Sequence, residues 1–137
     1  MKKLILMVGL PRSGKSTRAK ELSKKLNAPM VNGDATRLAL HGERFLVDAE
    51  PMVHILTMYQ TKALFIVGHD IVIVDECNIT QRRRDEWVSK FIGVEIEYHH
   101  VTTSAKECER RAMEENDIVI IPIIRRMDAN FEPIIEE

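Results

Sequence analysis

The sequence predicts an α/β fold in which a parallel β-sheet of four or five strands is flanked by helices on both faces. Three observations predict it. The runs at residues 3–8, apolar after Lys3, and at 71–74 are continuous rather than alternating, as in strands buried on both faces. Segments of helical period stand between the strand-like runs, as parallel strands joined by crossover helices require. Gly9, Asp34 and Asp75 each fall at a strand end, where α/β sheets hold their ligands. With 137 residues the chain reads as one domain, 1–137, able to bury a core without disulfides.

Taken in order, the first strand spans Lys3–Val8 and stops at Gly9. A helix is expected from Lys15 to Leu26, with Ala19, Leu22 and Leu26 on its inner face. Met30-Val31 is a short strand that ends at Asn32-Gly33-Asp34. Beyond Glu50-Pro51 comes the longest helical pattern, whose apolar positions are Met52, Leu56, Tyr59, Ala63 and Ile66. Proline suits its first turn and Gly68 its stop. Ile71–Val74 is the second buried strand, closed by Asp75. Thr80 is placed to cap a helix burying Trp87, Val88 and Phe91, and Val94–Val101 alternates as a half-exposed strand. Ser104-Ala105-Lys106-Glu107 fits a capping box. Residues 118–121 read equally as a fifth strand at the edge or as the lead-in to a helix beyond Pro122.

Composition excludes several classes. Hydrophobic residues make up 45% and charged residues 30%, ordinary for a soluble globular protein. No apolar run approaches the ~20 residues of a membrane span. The apolar start is too short for a signal peptide and runs straight into a motif. Cys77 and Cys108 lack metal-ligand spacing and fit a reducing, cytoplasmic setting. The net charge of −1 hides an uneven distribution. Residues 1–25 hold eight basic side chains and one acid, and the remainder holds 12 against 20. A positive end attracts polyphosphates, although the same lysines also serve as a solvated helix face.

Gly9-Leu10-Pro11-Arg12-Ser13-Gly14-Lys15-Ser16 fits G-x-x-x-x-G-K-[ST], the P-loop, between a predicted strand and helix. Backbone N–H groups turned around an anion need glycine dihedrals, and the following helix adds its N-terminal dipole. The expected ATP-binding set is therefore Gly9, Pro11, Arg12, Ser13, Gly14, Lys15, Ser16 and Thr17. Lys15 would reach the β- and γ-phosphates, and the Ser16 hydroxyl would hold Mg²⁺. Asp75 stands where a second metal-binding carboxylate belongs. Glu76 beside it is less clear, because adjacent strand residues face opposite ways. Asp34 and Arg37 share a helical face if a helix starts there, which suits a carboxylate and an arginine at an acceptor; Asp34 is equally an ordinary N-cap.

The segments MKKLILMVGLPRSGKST, VNGDATRLALHG, IVIVDECNITQRRRDEW and ECERRAMEEN with IIPIIRRMDANFEP carry a resemblance over nearly the whole chain. It resembles the bacteriophage T4 polynucleotide kinase group of small P-loop kinases, within a wider "predicted kinase" family. The resemblance implies a P-loop NTPase fold with a small helical lid. It implies Asp34 as general base, Arg37 on the acceptor, and Asp75 with Asn78 beside metal and phosphates. It also implies a lid arginine, for which Arg111 fits best. The pattern departs where a second lid arginine is usual, because Glu115 stands there; Arg110, Arg125 and Arg126 are the other candidates.

Arg82-Arg83-Arg84 spread around a helix and read as surface or structural residues. Seven aromatic residues without aromatic–basic alternation offer no stacking platform for single strands. The five histidines show no metal spacing and read as packing or surface residues, with His41 near the expected acceptor site. The implied activity is ATP- and Mg²⁺-dependent phosphoryl transfer to a hydroxyl. The acceptor is a polynucleotide 5′-hydroxyl by resemblance. A small molecule (nucleoside, sugar or antibiotic) is the alternative, which the acidic remainder favours. A non-catalytic nucleotide-binding module is the third reading. Purine preference and oligomeric state are not encoded in any motif.

Overall fold

In a computed structural model that describes residues 1–135, every strand runs parallel to its neighbours. The last two residues of the expected domain, 136–137, lie outside the described residues. The elements are β1 (Lys3–Val8), α1 (Lys15–Leu26), β2 (Met30–Asn32), α2 (Gly33–His41), α3 (Glu50–Ile66), β3 (Ile71–Asp75), α4 (Gln81–Lys90), β4 (Glu95–His100), α5 (Ala105–Glu114) and α6 (Ile121–Ala129). Among the described residues the sheet has four strands in the order β2-β3-β1-β4. Residues 118–120 form a 3₁₀ turn that leads into α6, with Pro122 in its first turn, so the helical alternative holds.

The alternation of side chains along β1 and β3 builds two cores. Leu4, Leu6, Val72 and Val74 face Phe65, Trp87 and Phe91 from α3 and α4. Ile5, Met7 and Ile73 face Ala19 of α1 and Ala28. A third cluster, Leu10 with Cys108, Ala112 and Ile124, ties α5 and α6 to the loop after β1. That pair of helices is the lid.

Two expected core faces differ from those observed. On α3 the buried stripe is Val53, Thr57, Thr61 and Phe65, whereas Met52, Tyr59 and Ile66 are 53%, 68% and 79% exposed. The threonines can be buried because their hydroxyls return to the helix: Thr61 Oγ1 donates to Thr57 O (2.8 Å) and Thr57 Oγ1 to His54 O (2.9 Å). Each then presents its methyl group to the core, which a hydrophobic count misses. On α4, Trp87 and Phe91 are buried as expected, but Val88 is 44% exposed, beyond the reach of the apolar arc.

Arg84 is fully buried as a tether. Its guanidinium donates to Asn78 O (2.8 Å), Glu132 O (2.6 Å) and Pro133 O (3.1 Å). Asn78, at φ 47°, donates to Met7 O (2.9 Å) and accepts from Trp87 Nε1 (3.1 Å). The segment after β3 is thereby pinned against β1, fixing where Asp75 and Glu76 stand.

Candidate active site

A cleft of about 1030 Å³ opens at the carboxyl ends of the strands, lined by Gly14 and Lys15 as well as by Glu50 and His54. Its first half is made of backbone. β1 delivers the chain into residues 9–14, and α1 begins at Lys15 with no side chain capping it. The amides of its first turn are therefore left for a ligand. Gly9 is required sterically: a Cβ there would stand 2.9 Å from Ser13 Oγ and 3.1 Å from Val101 O. Gly14 has φ 95°, a left-handed conformation that favours glycine. Ser13 O is held by Thr103 Oγ1 at 2.7 Å.

Lys15 and Ser16 lie in this half, with Asp75 at the end of β3 lining the same cleft. Burial works against the Lys15 ammonium, but Cys77, Asp75 and Asp34 outweigh it and raise its pKa. Burial also pushes the Cys77 thiol up, so at neutral pH the carboxylates are what hold the lysine charged. Asp75 Oδ2 accepts from Asn32 Nδ2 at 2.8 Å, while the buried Oδ1 has no hydrogen-bond partner among the described residues. A buried, unpaired carboxylate oxygen in the cleft that Ser16 also lines fits a hard divalent cation completed by phosphate oxygens and water. Among the described residues no group of three His, Cys, Asp or Glu forms a metal cluster.

The lid sorts the four candidate arginines. Arg111 Nη1 donates to Arg12 O (3.2 Å) and would lie 3.6 Å from a Cβ on Gly14, so it stands over the P-loop. Arg110 lies outside, bonded to Glu107 and Glu114, and its hydrogen bond holds the Glu107 carboxyl down to about 2. Arg125 pairs with Glu109 (2.8 Å) and Arg126 is exposed. Glu115, the departure from the family pattern, is used as a latch: it pairs with Arg12, whose Nη2 also donates to Asp117 Oδ2 (2.8 Å). Asp117 Oδ1 accepts from Arg44 (2.9 Å), joining the lid to the loop before α3.

The second half is made of side chains. The N-cap of α2 is Asn32, which accepts from Ala35 N at 2.8 Å. Asp34 therefore does not cap the helix. It stands within the first turn, 78% exposed, with Oδ1 accepting from Arg37 Nη1 at 2.8 Å. Arg37 is gripped on its other edge by Glu50, through Nε (2.8 Å) and Nη2 (2.7 Å). Burial opposes the Arg37 charge, and Glu50, Glu76 and Asp34 more than compensate, raising its pKa. Glu76 Oε1 is buried without a hydrogen-bond partner among the described residues, and a Cβ on Gly33 would meet it at 2.9 Å. Its burial pushes that carboxyl up, against Arg37 and Arg83. His54 Nε2 lies 2.5 Å from Glu86 Oε2, and its buried Nδ1 has no partner among the described residues. Burial and Arg83 lower the His54 pKa despite Glu86.

Lys15, Ser16, Asp34, Arg37, Asp75 and Arg111 thus line one cleft, together with Pro11, Arg12, Ser13, Gly14 and Thr17. Asn78 lines it too, but its side chain is spent on Met7 and Trp87. Sequence reasoning missed Glu50, seen only as a helix start, and His54, read as packing. Nothing local marks either one, since α3 carries both to the cleft from far along the chain. Asn32 carried a signal: an amide just ahead of a helix start is a strong N-cap.

A family model described as an AAA domain matches residues 4–134. No curated protein matches the chain. Among solved structures it is similar to a chain of the Pnkp1/Rnl/Hen1 complex, with 26% identity and a TM-score of 0.71, covering 80% of this chain and 38% of that one. The chain thus spans less than half the length of that protein. It shares its fold with the Mycobacterium tuberculosis APS kinase CysC in complex with AMPPNP and APS, at 20% identity and TM-score 0.76, covering 97% and 83%. It also shares it with a gluconokinase from Sinorhizobium meliloti 1021, at 16% identity and TM-score 0.71, covering 96% and 75%.

Proposed function

The chain belongs to the AAA domain family, here a family of P-loop kinases, and from that premise we propose that it is an ATP-dependent kinase acting on a hydroxyl acceptor. The observation that carries this reading is the single cleft lined by both Lys15 and the Asp34–Arg37 pair. A switch or binding module has no need of an exposed carboxylate facing its nucleotide lysine.

The backbone of residues 9–14 and the first turn of α1 bind the ATP phosphates, and Lys15 neutralises the β- and γ-oxygens. Ser16 and Asp75 are the residues that would hold Mg²⁺, which when bound neutralises charge between the β- and γ-phosphates. Arg111 lies where developing charge on the transferred group can be balanced. Asp34 orients the acceptor hydroxyl and takes its proton. The acceptor oxygen bonds to Pγ, the Pγ–bridging-oxygen bond breaks, and ADP leaves with that electron pair.

Two acceptor classes follow from different observations. The polynucleotide 5′-hydroxyl is supported by the likeness to a chain of the Pnkp1/Rnl/Hen1 complex, an assembly described as an RNA repair complex. A small-molecule acceptor is supported by the carboxylates around Arg37. The free thiols Cys77 and Cys108 support a cytoplasmic setting. The test is incubation with γ-labelled ATP and a panel of 5′-hydroxyl oligonucleotides, nucleosides and sugars. Label on an acceptor hydroxyl is expected. Tight ATP binding with no label on any acceptor would reduce the protein to a binding module.

A further inference from the structure

Three features of the second half of the cleft are not used by the transfer chemistry. Glu76 Oε1 and His54 Nδ1 are both buried and lack partners among the described residues, yet both residues line the cleft. Buried polar atoms are rarely left unpaired, because each costs the loss of its water without replacement. Arg37, the cation expected on an acceptor phosphate, has its two outer edges already occupied by Glu50 and Asp34.

The kinds of atom left open decide what fits. His54 is neutral at pH 7, its pKa being lowered, and its Nε2 faces a carboxylate at 2.5 Å. A neutral ring donates through the nitrogen that faces a carboxylate, so Nδ1 is left as a lone pair. Glu76 Oε1 likewise is a carboxyl oxygen with no hydrogen-bond partner among the described residues, although Arg37, Arg83 and Thr57 stand near the carboxyl group. His54 Nδ1 wants a hydrogen-bond donor and Glu76 Oε1 lacks a partner among the described residues; a hydroxyl can serve both, whereas a phosphate diester or monoester offers mainly acceptors.

Charge points the same way. Asp34, Glu50 and Glu76 surround Arg37, and Arg83 on the α4 side sits near Glu86, 3.9 Å away. A phosphate at Arg37 would have to displace a bidentate carboxylate and join two more. An uncharged hydroxyl donates without that penalty. Resting on the kinase reading above, we propose that the acceptor is an uncharged polyhydroxyl small molecule, held through hydroxyl hydrogens on Glu76 Oε1 and His54 Nδ1. Its reacting hydroxyl lies at Asp34, and no phosphate flanks it.

Four acceptor arms test this with γ-labelled ATP: free sugars and polyols, nucleosides with a free 3′-hydroxyl, nucleoside 3′-monophosphates, and 5′-hydroxyl oligonucleotides. Labelling of a sugar or nucleoside with kcat/KM about 10-fold or more above any 3′-phosphorylated acceptor is expected, and the first two arms say which source supplies the diol. Labelling confined to 3′-phosphates or oligonucleotides overturns the inference and leaves the kinase reading standing. Label on no acceptor overturns both. Glu76→Gln and His54→Ala should each raise the KM of the neutral acceptor about 5- to 10-fold, the equivalent of one hydrogen bond, with the ATP Kd unchanged. A change in neither KM overturns the assignment of those two atoms. Glu50→Gln supplies a gain that misfolding cannot imitate. Freed from its carboxylate, Arg37 should raise kcat/KM for 3′-phosphorylated acceptors relative to neutral ones, and an unchanged ratio counts against the proposal.

Discussion

The two halves of the cleft are built from different materials. The half proposed for the nucleotide is backbone: residues 9–14 and the first turn of α1, fixed by a glycine packed against Val101 and a strand buried from Leu4 to Val8. The half proposed for the acceptor is side chain: Asp34 and Arg37 from α2, Glu50 and His54 from α3, Glu76 after β3. A backbone cradle has little freedom to change what it binds, since altering it means altering dihedrals. An array of side chains on several elements can be retuned one residue at a time. That contrast is the physical reason one scaffold serves many acceptors while keeping one phosphate donor.

Substitutions can break or sharpen this contrast. The largest effect is expected in the backbone half, at the lysine proposed to face the β- and γ-phosphates. Lys15→Ala should lower transfer by ~10³-fold and weaken ATP binding, because the cation at the β- and γ-oxygens is gone. Single-turnover label transfer with a parallel ATP titration measures both. Rates near wild type would mean that the cradle alone suffices. Arg111→Ala comes next, with a loss of ~10³-fold if it balances charge in the transition state, and little change in ATP affinity. The same substitution at Arg110, Arg125 or Arg126 should leave the rate within a few fold. A larger loss at one of those three would move the lid role there.

The same division explains what could be read from the chain. The P-loop is contiguous, so its spacing alone predicts its shape, and β1, α1, β2 and β3 fall within a residue of their expected places. The lid was half legible. Arg111 matches its pattern, but the pairing of Glu115 with Arg12 joins positions far apart in sequence and has no local signature. The face of α3 was misread because Thr57 and Thr61 hide their polarity within the helix. That error matters at the site: the rotation that buries the threonines also determines which side chains α3 turns to the cleft. Glu50 and His54 were therefore invisible as acceptor residues, although the helix itself was plain.

Asp34 tests the acceptor half directly. With Asn32 as the N-cap, Asp34→Asn leaves the helix start intact and removes only a charge. Transfer should fall ~10²-fold or more at unchanged ATP affinity. A rate near wild type would leave Asp34 as a partner of Arg37 and no more. Stopped-flow ATP binding and label transfer on the same preparation separate the two results.

The smallest expected effect distinguishes the halves by pH. His54 sits against Glu86 and Arg83 on α4, with Glu50 on its own helix, and the balance of burial and Arg83 over the carboxylates lowers its pKa. The fold therefore favours the neutral ring. Its contribution to stability is complete above the ordinary histidine pKa of ~6.5 and is lost as pH falls through that value towards the folded one. Lys15 has the opposite sense. Its raised pKa keeps it charged throughout this range, so the nucleotide half feels no change. Lowering pH from 7.5 to 5.5 should therefore reduce the melting temperature slightly and raise the acceptor KM, while the ATP Kd stays constant. His54→Gln cannot titrate, and in this variant the part of the stability profile that falls away below the ordinary histidine pKa should flatten. A wild-type profile preserved in His54→Gln would assign the dependence to other groups, such as Glu76, and remove His54 from the contrast between the two halves.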